Sequence, residues 1–226
     1  MKKTTTINNN HSTMKIFRLL AAVCVGLACI GAAATAQSLL LGIYGGVNVA
    51  TVESTGGGTA SGHYGPIAGA AFEVGIIDPL AFRAEVQYVQ RGGKLELITS
   101  SSSVPVITEY TLDYLEIPVN LRLGLNQGSP MFYVYGGTTL GTLLAATANR
   151  GEQTDQDVKN SFETATISLD LGGGVDVELS KTIHLRGDLR YNYAITDEAR
   201  QQQAFFDADS WKSQAIKGVV GVYFQL

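Results

Sequence analysis

Charged side chains recur at every second position in several segments of this chain, and they are its most chemically active groups. Arg83 and Glu85 are separated by one residue, as are Arg186, Asp188 and Arg190. Alternate residues of a β-strand share one face, and charges shielded from water must be paired to be tolerated. We therefore expect such rows to meet inside a closed sheet as a plug of ion pairs without an open pore. The expected inward set is Glu73, Arg83, Glu85, Arg91, Glu116, Arg122, Asp170, Asp176, Glu178, Arg186, Asp188, Arg190 and Lys217.

A catalytic arrangement is the alternative chemistry for part of this set. His184 lies in a segment expected to neighbour the one that carries Ser168, Asp170 and Glu178. Nucleophilic catalysis requires a nucleophile, a base and an orienting acid within hydrogen-bonding distance, and such a set would make the chain a lipid-modifying barrel enzyme. A single inward histidine is more often part of a polar interior. We therefore expect no enzymatic activity and assign no catalytic residue.

The sequence indicates no cofactor and no metal site. The tract Gly172-Gly173-Gly174 lies inside a strand pattern rather than before a helix, which argues against a phosphate-binding loop. We expect it to mark a bend in the sheet or to make room for a large neighbouring side chain. The acidic stretch from Asp197 to Asp209 is expected to stay solvated rather than bind a cation. Within it, Phe205-Phe206 favours the membrane interface or a protein partner.

Eight segments of alternating apolar and polar residues would position these groups. In the clearest, Phe82, Val86 and Tyr88 face away from Arg83 and Glu85. In the fifth segment, the choice between the two faces stays open, because both carry large apolar side chains. The segments are Leu39–Ala50, Tyr64–Ile77, Leu80–Arg91, Leu115–Leu125, Met131–Ala148, Thr166–Leu179, Ile183–Tyr193 and Ile216–Leu226.

The connections between these segments alternate between long and short. The short ones, such as Asp78-Pro79 and Ser180-Lys181, have the composition of tight turns. The long polar ones are Val52 to His63, Glu96 to Ile107, Arg150 to Asn160 and Asp197 to Ser210. This pattern predicts an all-β fold, an eight-stranded antiparallel up-and-down transmembrane β-barrel with short periplasmic turns and four long extracellular loops. Both termini would then be periplasmic.

The first 36 residues have the features of a secretory signal peptide. Lys15 and Arg18 precede an apolar run from Leu19 to Ile30, and Ala34-Thr35-Ala36 offers a cleavage site. We expect a signal peptide over 1–36 and a barrel domain over 37–226. Whether translation starts at Met1 or at Met14 stays open.

The composition of the remaining chain restricts its partners. Both cysteines, Cys24 and Cys29, lie in the expected signal peptide, which leaves no disulfide or thiolate chemistry. A lipoprotein acylated at Cys29 is the alternative. It is disfavoured because the residue three positions before Cys29 is Gly26 rather than a large aliphatic residue. Cleavage of the signal peptide would remove four basic residues and no acidic ones, so the net charge of the remaining chain would be 12 minus 20, or −8. A negative net charge disfavours binding to nucleic acid. We expect a monomer in contact with outer-membrane lipid.

A soluble, lipocalin-like ligand carrier is the third class that fits eight up-and-down strands. In a carrier the apolar face would point inward, whereas in a membrane barrel it points outward. Tyr88, Tyr191 and Tyr193 lie near the long-loop ends of their segments, and Phe132 and Phe224 near the short-turn ends. Two such belts are typical of the two membrane interfaces, so the sequence favours lipid exposure.

Three stretches resemble the PorT-like family of outer-membrane β-barrels. YLEIPVNLRLGL, residues 114–125, is similar to that family's YLEIP strand, and GIYGGVNVA, residues 42–50, resembles its first strand. Residues 170–197 resemble its sixth and seventh strands joined by a tight turn. The resemblance implies a non-enzymatic protein of the Gram-negative outer membrane, linked in some members to secretion machinery. An envelope or secretion-machinery protein is therefore the partner that the resemblance suggests. Such barrels commonly end on an aromatic residue, whereas this chain ends on Leu226 with Phe224 two residues earlier.

Overall fold

Nine strands and one short turn of 3-10 helix form the fold in a computed structural model, which describes residues 38–55, 59–97, 106–150, 153–198 and 210–226. The 3-10 turn, Lys159–Ser161, follows the sixth strand. In these ranges no helix is long and apolar enough to span a bilayer. The strands are β1 Leu39–Thr55, β2 Thr59–Ile77, β3 Leu80–Leu97, β4 Val106–Gly124, β5 Met131–Arg150, β6 Gln153–Asp157, β7 Ala165–Ser180, β8 Ile183–Ala194 and β9 Ser210–Gln225.

Eight of these strands close into an antiparallel barrel, as the sequence predicts. Each pairs with the next along the chain, β5 pairs with β7, and β9 pairs with β1 to close the ring. The partners of Val49 can be followed through Ile216, Tyr191, Leu171, Gly136, Leu121, Phe82 and Val74 back to Leu39. The ring therefore closes with a displacement of 49 minus 39, or ten residues. Such a stagger tilts the strands by about 40° and leaves an interior that side chains can fill.

The exterior of the barrel is apolar and the interior is polar. Leu41, Val86, Leu171, Leu189 and Val220 are exposed on the outer face, while the charged residues between them are buried. This arrangement contradicts the lipocalin-like alternative, which requires the opposite. In β5 the structure also resolves the open choice of face, because Tyr133 and Tyr135 are buried whereas Phe132 and Val134 are exposed.

The aromatic side chains on the outer face lie at the two ends expected for a membrane protein. Tyr88 and Tyr191 are exposed, and each is the ninth residue of its strand counted from the short turn, about one membrane thickness toward the end that carries the long connections, which we call the loop end. Phe132 and Phe224 are exposed near the opposite end, which carries the short turns and which we call the turn end. Tyr44 and Tyr133 are buried and face the lumen instead.

Most barrel strands are longer than a bilayer requires, and the first predicted loop is wrong for that reason. A membrane strand needs about 9–11 residues, whereas β1 has 17 and β2 has 19. The stretch from Val52 to His63 was expected to be a long polar loop, but it is strand except for residues 56–58, which lie outside the described ranges. Backbone pairing to β9 and β3 continues there whatever the side chains, so a polar, glycine-rich composition did not end the strands.

Inward glycines make room for inward tyrosines, as expected for the tract Gly172-Gly173-Gly174. Gly172 is the direct cross-strand partner of Tyr135, and Gly174 is the partner of Tyr133. A Cβ at Gly172 would lie 2.5 Å from the Tyr135 ring, and one at Gly174 would lie 2.6 Å from the Tyr133 hydroxyl. The rings therefore lie against bare backbone, which lets a narrow barrel hold several of them.

Candidate functional site

The lumen holds three layers of buried ion pairs, and the first lies toward the turn end. Arg186 donates to Glu73 at 2.8 Å and to Asp176 at 2.7 Å, and Arg122 reaches the other Glu73 oxygen at 2.9 Å. His184 Nδ1 lies 2.9 Å from Asp176. Glu73 thus has partners on β4 and β8, while both partners of Asp176 lie on β8, and this layer joins β2, β4, β7 and β8.

The middle layer is a closed ring of two arginines and two carboxylates. Arg83 lies 2.7 Å from Glu85 and 3.2 Å from Asp188, while Arg190 lies 2.8 Å from Glu85 and 3.6 Å from Asp188. Tyrosine hydroxyls complete the ring. Tyr133 donates to Asp188 at 2.6 Å, Tyr44 donates to Glu85, and Arg83 donates to Tyr223 at 2.6 Å. Networks in which each charge contacts two opposite charges are the form in which buried charge is tolerated.

The upper layer lies toward the loop end and includes a residue from a loop. Lys217 donates to Glu116 at 2.7 Å, and Arg91 donates to the same carboxylate. Arg91 also donates at 3.3 Å to Glu198, which follows the end of β8. Asp170 completes the layer through hydrogen bonds from Thr139 and from Asn192.

The strand-borne charges of the lumen are balanced layer by layer. In the part of the chain that the structure describes, each layer holds two strand-borne cations and two strand-borne carboxylates, and all twelve side chains are buried. The arginines also lie over tyrosine rings, for example Arg186 at 4.4 Å from the centre of Tyr223 and Arg122 at 5.1 Å from that of Tyr133. Cation–π contacts of this kind strengthen when they are desolvated. The interior therefore resembles a folded core built from polar groups.

The loop end of the lumen is apolar, which the alternating-charge prediction did not anticipate. Phe162 is fully buried there and meets Tyr110 edge-on, with ring centres 6.2 Å apart. It belongs to a cluster with Leu112, Tyr114 and Leu143. Phe162 comes from the connection after β6, so a loop residue closes this end from within.

Two loop segments complete the barrel wall where β7 and β8 are short. Residues 158–164 pair with β5 through Val158 N–H to Ala146 O at 3.0 Å and Leu143 N–H to Thr164 O at 2.9 Å. Residues 195–198 join them through Glu163 N–H to Glu198 O at 2.8 Å. We call these two segments the loop-end cap, and Phe162 and Glu198 are its buried residues.

The residues of the catalytic alternative are not brought together. Ser168 is opposite Ala194 and Glu178 is opposite His184 in the β7–β8 pairing. Ser168 and the level of His184 are thus ten residues apart, or about 33 Å along the strand at 3.3 Å per residue. Ser168 instead accepts a hydrogen bond from Asn192 at 3.0 Å.

Two expectations about acidic residues are wrong. Glu178 was expected in the lumen but is exposed, because it lies beyond the turn-end layer of ion pairs. Glu198 was expected to stay solvated but is buried against Arg91 and Ser213. Phe205, Phe206, Asp207 and Asp209 lie outside the described residues. Within the described residues, no group of three or more histidine, cysteine or acidic side chains could hold a metal ion.

Known proteins share this architecture. The chain is similar to OprG from Pseudomonas aeruginosa, with 11% identity, a TM-score of 0.53 and coverage of 84% of this chain and 97% of OprG. Neisserial surface protein A has 18% identity and a TM-score of 0.45, and the match covers 82% of this chain and 97% of that protein. Ail of Yersinia pestis has 11% identity and a TM-score of 0.43, and the match covers 83% of this chain and 98% of Ail. No curated protein matches. A family described as outer membrane protein beta-barrel domain matches residues 35–200. Since that match covers more than half of the chain, the protein belongs to this family of outer-membrane β-barrels.

Proposed function

We propose that this outer-membrane barrel is a closed, non-enzymatic platform whose activity lies in the parts that project from the loop end. The filled lumen is the observation that supports the proposal. Twelve buried charges of the strands, six of each sign, occupy the width of the barrel, and Phe162 fills the loop end above them. An eight-stranded wall has little free space beyond its inward side chains. A solute would have to break buried ion pairs in all three layers to cross.

Conductance tests the closed lumen. The purified protein in planar lipid bilayers is expected to show no stable single-channel steps, because the charged layers exclude a continuous water column. Gly218→Ala, on the outer face with no atom within 4 Å of the added Cβ, should behave in the same way. A large, stable and ion-selective conductance from the unmodified protein would contradict the proposal and would require an oligomeric pore or a wider barrel.

The finer proposal is that the barrel is of the PorT-like type and serves the cell envelope or protein secretion. The similarity of residues 114–125 to the YLEIP strand supports this assignment. The same proposal places the signal peptide at residues 1–36 and both termini in the periplasm. Its orientation follows from the rule that short turns face the periplasm and long loops face outward. A monomer in contact with lipid is proposed, because the exposed apolar face continues around the described strands.

Affinity capture distinguishes the secretion role from a stand-alone role. The tagged protein would be purified from detergent-solubilised outer membranes and its companions quantified by mass spectrometry. We expect a secretion-machinery protein at a stoichiometric amount. A tagged, unrelated barrel expressed at the same level is the control. Recovery of the barrel alone from both would contradict the secretion role while leaving the closed lumen untouched.

A further inference from the structure

Glu198 is the one lumen carboxylate, among the described residues, that a loop rather than a strand supplies. Its side chain is fully buried and accepts hydrogen bonds from Arg91 Nη1 at 3.3 Å and from the Ser213 hydroxyl. Its backbone oxygen accepts the Glu163 amide at 2.8 Å, which joins the two segments of the loop-end cap. The protonation of this carboxyl and the seating of the cap are therefore coupled by geometry.

The charge of the lumen makes Glu198 a surplus anion. Among the described residues, the six buried cations are already matched by six buried carboxylates on the strands. Arg91, the cation nearest to Glu198, also binds Glu116, which Lys217 binds from the other side. When Glu198 is ionised and seated, the upper layer holds two cations and three carboxylates. An uncompensated buried charge is costly, and a proton removes that cost.

Some of the groups that face Glu198 favour ionisation of its carboxyl, and others oppose it. Arg91 on β3 and Ser213 on β9 favour its charged form, while Glu116 on β4 and the neighbouring Asp197 oppose it. Tyr114 on β4 is also within electrostatic range. Lys217 on β9 and Asp170 on β7 act on the adjoining Arg91–Glu116 pair. Burial is the largest influence, and the pKa of the Glu198 carboxyl is raised above its ordinary value.

We propose that the loop-end cap is a pH-dependent closure, which is seated while Glu198 is protonated and released when Glu198 ionises. Phe162 supplies the apolar part of the seal, and the neutral Glu198 supplies the polar part. Release of the cap would carry the charge of Glu198 into water, and the charged side chains that the strands place in the lumen would then balance in sign. The proposal goes beyond the closed platform, because the three layers of ion pairs stay in place whether the cap is seated or released.

The sign of the pH dependence follows from linkage. The seated cap has the higher Glu198 pKa, so it binds the proton more tightly than the released cap does. Protonation therefore contributes its full stabilisation of the seated state below the ordinary carboxyl pKa. That stabilisation is lost as the pH rises through the raised value. The ratio of seated to released cap falls about tenfold for each unit between the two pKa values.

Amide hydrogen exchange on the full barrel in detergent micelles measures this ratio. The Glu163 amide reports the bond between the two cap segments, and the Val158 amide reports the bond to β5. After correction for intrinsic exchange rates, their protection is expected to fall at least about tenfold between acidic and mildly alkaline pH. Lipid-facing strand amides, such as that of Leu121, should stay protected at both pH values.

Glu198→Gln decides between this proposal and a simple salt-bridge latch. Because the amide is neutral at every pH, the variant should keep the cap protected at alkaline pH and abolish the pH dependence. Phe162→Ala should lower protection at every pH while keeping the slope. Heat-modifiable migration on a gel verifies that each variant forms the barrel. Cap protection lower than wild type in Glu198→Gln, or a flat profile in the wild type, would overturn the proposal.

Discussion

Replacing Arg186 with alanine is expected to destabilise the folded barrel by about 3 to 5 kcal/mol, the cost of leaving buried carboxylates without their cation. Arg186 binds Glu73 and Asp176 at 2.7 to 2.8 Å and lies over the Tyr223 ring. Its loss leaves Arg122 as the remaining cation beside Glu73 and the His184 ring as the remaining partner of Asp176 in this layer. Urea unfolding of the protein in phospholipid vesicles, followed by gel mobility, measures the change.

A surface ion pair provides the matched control for this substitution. Lys94 lies 3.5 Å from Glu109, and both side chains are more than one-third exposed. Lys94→Ala should therefore cost less than about 1 kcal/mol. The double variant Arg186→Met with Asp176→Asn removes one charge of each sign and should recover part of the loss, because the layer is again balanced. Equal effects for Arg186→Ala and Lys94→Ala would contradict the ion-pair account of the lumen.

The parts of the lumen that the sequence predicts are those set by strand periodicity. Once Arg83 and Glu85 share a face, and Arg186, Asp188 and Arg190 share another, closure of the sheet brings the two faces together. The identity of each pair depends on the stagger of ten residues around the barrel, which no single segment encodes. The glycine tract is a local signal whose reason became visible only when the register placed Gly172 opposite Tyr135.

The loop-end cap could not be predicted, because nothing local marks its residues. Phe162 follows a polar stretch, and Glu198 lies among other acids in a segment that is typical of solvated loops. Their burial results from the shortness of β7 compared with β5 and of β8 compared with β9, which leaves a gap in the wall for loop residues to fill. The lengths of the strands beyond the membrane are hard to predict from the sequence, because the parts of β1 and β2 nearest the loop end are polar and glycine-rich like a loop.

Leu189→Arg is the second substitution with a large expected effect, because it tests which face contacts lipid. Leu189 is 64% exposed at the middle of β8, and its cross-strand partners Gly173 and Gly218 carry no side chain that could shield a charge. A cation at the bilayer midplane of a barrel costs about 2 to 4 kcal/mol. Folding into vesicles, measured by the same unfolding assay, should weaken by that amount. Val86→Arg, at 52% exposure on β3, should behave alike.

Two further substitutions separate the effect of the added charge on stability from two other effects. These are the loss of the leucine side chain and the position of the residue in the membrane. Leu189→Ala removes the same apolar side chain without adding charge and should cost much less, because lipid replaces the missing contacts. Thr51→Arg places a cation on the outer face of β1, two residues beyond Val49 toward the loop end, where it can reach water. Its cost should be about 0 to 1 kcal/mol, as for cations near the interface. If Leu189→Arg were tolerated as well as Thr51→Arg, the strand register would be wrong by one residue, since a slip of one exchanges the lipid face and the lumen.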